Sequence, residues 1–95
     1  MVYISNSFSL QMVKLKYYYL DVLEVDHLPQ GDGLISCIGH ADTAKILNLP
    51  YNRVNLILEK GDVLYVAQLQ GGRLPEGCTT LPEGFTFKYY RIEIL

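Results

Sequence analysis

Ser36-Cys37-Ile38-Gly39-His40-Ala41-Asp42-Thr43 is the stretch around which the chain is organised. An apolar run from Leu34 to Ile38 ends in Gly39. His40 follows, and Ala41 to Asn48 reads as a short helix stopped by Leu49-Pro50. A strand or loop feeding a helix start leaves backbone N–H groups unpaired, and the positive end of the helix dipole attracts an anion there. Gly39, without a Cβ, lets the backbone approach a ligand closely. His40, one of two histidines, stands where a phosphate would be bound. Read locally, the plainer role is the commoner one: a polar residue before a helix that only hydrogen-bonds the backbone.

The 95 residues make one small domain. A chain of this size buries roughly 60–65% of its unfolded surface, so its core is modest and dimerisation is a natural way to enlarge it. Hydrophobic content of 49% with 19% charged residues belongs to a globular chain, not a disordered one. No apolar run approaches the ~18 residues of a membrane span, and the first residues form no signal peptide. A soluble, cytoplasmic protein is expected. The formal charge of −2 argues against a general nucleic-acid binder, duplex DNA included. It leaves room for a small nucleotide held by a few placed cations. Cys37 and Cys78 lack CxxC spacing, and with His27 and His40 they match no zinc pattern, so reduced thiols and no metal or cofactor are expected.

Taken in order, Val2-Tyr3-Ile4-Ser5 reads as a short strand, and the small polar residues Asn6-Ser7-Phe8-Ser9 break it. Asn6, Ser9 and Gln11 are either turn-formers that bond their own backbone or donors to a ligand. Lys14 to Val25 reads as one long strand. Its triple tyrosine, Tyr17 to Tyr19, is either a base-stacking platform or, more commonly, cross-strand packing. His27 to Gly33 is a loop by composition. Arg53–Glu59 and Asp62–Leu69 read as two central strands joined by a turn at Lys60-Gly61, their apolar character implying cover on both faces. Gly71-Gly72 releases the chain into a segment where Leu-Pro-Glu-Gly occurs twice, too briefly for a repeat architecture. Phe85 to Leu95 is a closing strand with a phase break near Tyr90. The expected fold is α+β: a small mixed sheet of about five strands with one main helix.

Several separated segments fit one family. Asn6-Ser7-Phe8-Ser9, Ile38-Gly39-His40 with Thr43, Asn52-Arg53-Val54, and Arg73-Leu74-Pro75-Glu76-Gly77 occur in order along essentially the whole chain. Together they closely resemble the small viral ring nucleases that act as type III anti-CRISPR proteins, a family also carried as YddF-like proteins by bacteria and mobile elements. The resemblance implies a homodimer that binds cyclic tetra-adenylate across its two-fold axis. It implies metal-independent cleavage of that messenger to linear di-adenylates, in the host cytoplasm if the protein is viral. It places His40, Arg73 and Glu76 as catalytic residues. It puts Asn6, Ser9, Thr43 and Arg53 on the ligand side, to which the local reading adds Gln11 and Gly39.

The chemistry suits these residue types. An RNA linkage carries its own nucleophile, the ribose 2′-hydroxyl, which needs only alignment with phosphorus and the leaving 5′-oxygen. A protonated His40 can give that oxygen its proton. Arg73 can hold phosphate oxygens with two parallel donors, and Glu76 can orient either the 2′-hydroxyl or an imidazole. Two features depart from the family: the short Asp26–Ile35 segment, where larger members have a further helix, and Gly71-Gly72 before Arg73. The alternatives are a sponge that binds a cyclic oligonucleotide without cutting it, and a structural or regulatory dimer with no nucleotide ligand.

Overall fold

The computed structural model describes residues 1–6, 19–29, 33–52 and 57–95. Strand β1 (Val2–Ser5) is followed by β2 (Leu20–Val25), β3 (Leu34–Cys37), helix α1 (Ala41–Leu47), β4 (Val63–Gln70) and β5 (Thr86–Ile94). They form a mixed five-stranded sheet in the order β2-β5-β4-β1-β3. β1 runs parallel to both β3 and β4, and β5 runs antiparallel to both β4 and β2. The fold is the expected α+β.

Strand alternation sorts the apolar side chains onto two faces. On one face Leu64, Val66, Ile92 and Ile94 pack with Cys37 and Leu58, flanked by Tyr3, Leu20, Ile35 and Tyr90. On the other, Ile4 and Ile38 meet Ala44 of α1, flanked by Leu34, Leu47, Leu49 and Tyr65. The register explains the division: Tyr3 lies beside Ile35 and Leu64, while its neighbour Ile4 lies beside Ser36 and Tyr65. A seven-residue helix is too short to persist in isolation, so α1 depends on this packing and on its ends. Asn48 closes it in the left-handed region at φ 56°, its N–H reaching the carbonyls of Ala44 and Lys45.

The hairpin pairing of Arg53–Glu59 with β4 is corrected, and two strand expectations fall partly outside the described residues. Of Arg53–Glu59, residues 53–56 lie outside the described residues, and in 57–59 Leu58 stands in a β-bridge. Both edges of β4 are already taken by β1 and β5, so no edge remains for a preceding hairpin partner. The turn at Lys60-Gly61 does form, with Gly61 at φ +89°. Leu58, just before it, is fully buried in the core. The fifth strand is Leu34–Cys37, paired with β1. Of the long Lys14–Val25 strand, Leu20–Val25 is strand, Tyr19 is exposed, and 14–18 lie outside the described residues.

The phase break near Tyr90 has a simple origin. β5 keeps an unbroken antiparallel register with β4 from Gln70↔Thr86 to Val63↔Glu93, without a bulge. Its first half turns Phe87 toward the face that carries α1, and its second half buries Ile92 and Ile94 on the opposite face.

Candidate functional site

The parallel strands β1, β3 and β4 all end on the same side of the sheet, and each releases one part of the expected site. Asn6 follows β1, Gly39-His40 follow β3 and Ile38, and Gly72-Arg73 follow β4. The carboxyl ends of parallel strands are where α/β sheets open a crevice, because the chain departs from them in different directions. Here they enclose a cavity of about 310 Å³ lined by Asn6, His40, Thr43, Ala67, Leu69, Gly72, Arg73, Leu74 and Phe87. Alternation along β4 aims Ala67 and Leu69 at it, and the adjacent β5 supplies Phe87, which stacks on Tyr89 with ring centroids 6.2 Å apart. One wall is therefore polar and cationic, the other apolar and aromatic.

His40 is the N-cap of α1. The Thr43 N–H donates to its Nδ1 at 3.2 Å, and Thr43 Oγ1 lies 3.0 Å from the same nitrogen. An Nδ1 that accepts carries no proton, so the neutral ring holds its proton on Nε2. The N–H expected to meet an anion at Thr43 is thus occupied by the histidine itself. His40 does the plain capping job and also faces the cavity. Thr43 is buried, with its hydroxyl turned to the imidazole.

The Asn6 Oδ1 accepts the Gly39 N–H at 3.0 Å, tying the exit of β1 to that of β3. Of the two roles open to Asn6, the structural one is filled by its carbonyl, though across the sheet and not to its own backbone. Arg73 is exposed and lines the cavity. Glu76, three residues on, is exposed and stands outside the lining. Ser9, Gln11 and Arg53 lie outside the described residues. The structure therefore brings together Asn6, His40, Thr43 and Arg73, with Gly39 bonded to Asn6, and leaves Glu76 apart.

Gly71 and Gly72 carry Arg73 into place at φ +111° and +118°. A Cβ on Gly71 would stand 2.7 Å from the Gly84 carbonyl oxygen and 3.2 Å from Phe85, so only glycine closes the base of this loop. The apolar wall was not anticipated from the sequence. Its signal was present in the alternation of Ala67, Leu69 and Phe87, which share a face with α1. Among the described residues no three His, Cys, Asp or Glu side chains cluster as metal ligands. No helix among them is long and apolar enough to cross a membrane.

Viral proteins share this fold and resemble this sequence. The family model described as STIV B116-like matches residues 2–90. The chain belongs to that family. It is 35% identical over 88 residues to "Uncharacterized protein 26" of Sulfolobus islandicus filamentous virus (isolate Iceland/Hveragerdi), covering 81% of this chain and 74% of that protein. Its fold matches B116 of Sulfolobus turreted icosahedral virus with a TM-score of 0.78 at 25% identity, over 97% of both chains.

Proposed function

We propose that the protein is a metal-independent ring nuclease: a homodimer that binds cyclic tetra-adenylate across its two-fold axis and cuts it to linear di-adenylates. It thereby antagonises or resets type III CRISPR signalling. The observation that carries this is the convergence of His40, Thr43, Arg73 and Asn6 with an apolar wall of Leu69, Leu74 and Phe87 around one cavity. A nucleotide has the same two characters, an anionic linkage and a flat apolar base.

In the reaction the ribose 2′-hydroxyl attacks the adjacent phosphorus and the bond to the 5′-oxygen breaks. The attacking hydroxyl gives its proton to solvent, and His40 in its charged form gives the leaving 5′-oxygen a proton from Nε2. The charged ring has a proton on Nδ1 as well, and this proton turns to Thr43 Oγ1, already 3.0 Å away. Arg73 holds the nonbridging oxygens as charge develops on them. Each cut leaves a 2′,3′-cyclic phosphate, and two cuts related by the dimer axis give two di-adenylates.

One observation favours a second reading. The capping role of His40 is complete without catalysis, so the same cavity suits a sponge that binds the ring intact. Isothermal titration with cyclic tetra-adenylate, followed by chromatography of the cell contents, separates the cases. The nuclease binds one ring per two chains and returns di-adenylates, the sponge returns the ring, and absence of binding rejects both.

A further inference from the structure

Among the described residues, the segment that carries Arg73 has little to hold it. Residues 73–75 form no helix or strand, and the stretch is bracketed by glycines at positive φ, Gly71 and Gly72 before it and Gly77, at +80°, after it. Such hinges leave an arginine between them with many accessible positions. One hydrogen bond crosses from this segment to the helix: the Gly77 N–H donates to Asp42 Oδ2 at 3.0 Å. Asp42 lies in the first turn of α1, two residues after His40 and one before Thr43. The helix turn that places the imidazole therefore also anchors the far end of the arginine loop, over a separation of 35 residues.

We propose that Asp42 is a positioning residue for Arg73. Its carboxylate pins Gly77 so that the guanidinium stands over the same cavity as His40. It stands outside the cavity lining. It acts by fixing one end of a loop whose other end is fixed by the close approach of Gly71 to Gly84 and Phe85. With both ends held, the cation and the imidazole move as one unit; with one end loose, they do not. Misplacing a reacting or clamping group by about 1 Å can cost up to 10²-fold in rate, so the strut has a measurable kinetic weight.

This inference rests on the proposed nuclease reading for its kinetic arm only. The test compares Asp42→Asn, which keeps an acceptor oxygen for Gly77 and removes the charge, with Asp42→Ala, which removes both. In amide hydrogen exchange, Gly77 is expected to be protected in the wild type and in Asp42→Asn, and to exchange about tenfold faster or more in Asp42→Ala. In single-turnover cleavage of cyclic tetra-adenylate, Asp42→Ala is expected to lose about tenfold or more with an unchanged melting temperature, while Asp42→Asn stays within about threefold. An Asp42→Asn protein as slow as Asp42→Ala would show that charge, not the strut, matters. Wild-type cleavage by Asp42→Ala would equally overturn the proposal. If the wild-type protein leaves the ring uncut, the nuclease reading fails, and exchange alone decides the strut: unchanged Gly77 exchange in Asp42→Ala rejects it.

Discussion

His40 caps α1 through Nδ1, and that nitrogen must carry a proton whenever the ring acts as an acid. Replacing His40 by alanine therefore removes two things at once, because loss of a side-chain cap costs about 0.5–2 kcal/mol. His40→Asn separates them, since asparagine is among the best N-caps and has no proton to give. The asparagine variant is expected to melt near the wild type, bind cyclic tetra-adenylate, and lose roughly 10²–10⁴ in single-turnover rate. Thr43 is the other half of this arrangement. Thr43→Val keeps the N–H cap but deletes the oxygen that receives the Nδ1 proton in the proposed mechanism, and is expected to slow cleavage about tenfold, with Thr43→Ser restoring it. Equal rates for the valine and serine variants would remove the hydroxyl from the mechanism. Arg73→Ala should lose both binding and rate, as read by titration and single turnover, because in the proposed mechanism it holds the phosphate throughout the reaction.

At the scale of elements, the two glycines before Arg73 are not equivalent. Gly71→Ala meets backbone at 2.7 Å as well as an unfavourable φ, whereas Gly72→Ala has open space and only the φ penalty. Backbone in a sparsely populated region costs on the order of 1–3 kcal/mol, so both variants should melt lower, Gly71→Ala by clearly the larger margin. Comparable melting temperatures would mean the loop base relaxes freely. The elements legible in the sequence were those with local signals: β1, β4, β5 and a helix bounded by His40 and Asn48-Leu49-Pro50, whereas Leu34 to Ile38 read equally as strand or loop. The pairing of Arg53–Glu59 with β4 misled because continuous apolar character reports burial without saying what occupies the neighbouring edges. Leu58 is indeed buried, but β1 and β5 already flank β4. The meeting of Phe87 with His40 and Arg73 around one cavity and the Asp42–Gly77 bond were illegible for a related reason. Both depend on which residues distant in sequence come together, 35 positions apart in the second case.

For the molecule as a whole, the sheet order decides both stability and the site. β1, only four residues long, joins β3 to β4, so its carboxyl end gathers Asn6, His40 and Arg73. Beside it, burial pushes up the Cys37 thiol, and burial, with Asp62, Cys37 and Glu59 nearby, pushes up the Tyr3 phenol. Both groups favour the protonated form when folded, so their contribution is complete below the unfolded values and is lost as pH rises through the folded ones. Urea midpoints should therefore fall above about pH 9, and Tyr3→Phe should flatten that decline. Light scattering should return the mass of two chains, with or without ligand. The most direct test of the proposed activity is incubation with cyclic tetra-adenylate in excess EDTA, with chromatography and mass spectrometry of the products. The expected result is di-adenylate ending in 2′,3′-cyclic phosphate, formed at the same rate with and without EDTA and lost in His40→Asn. An intact ring, or cleavage abolished by EDTA or unaffected by His40→Asn, would contradict it.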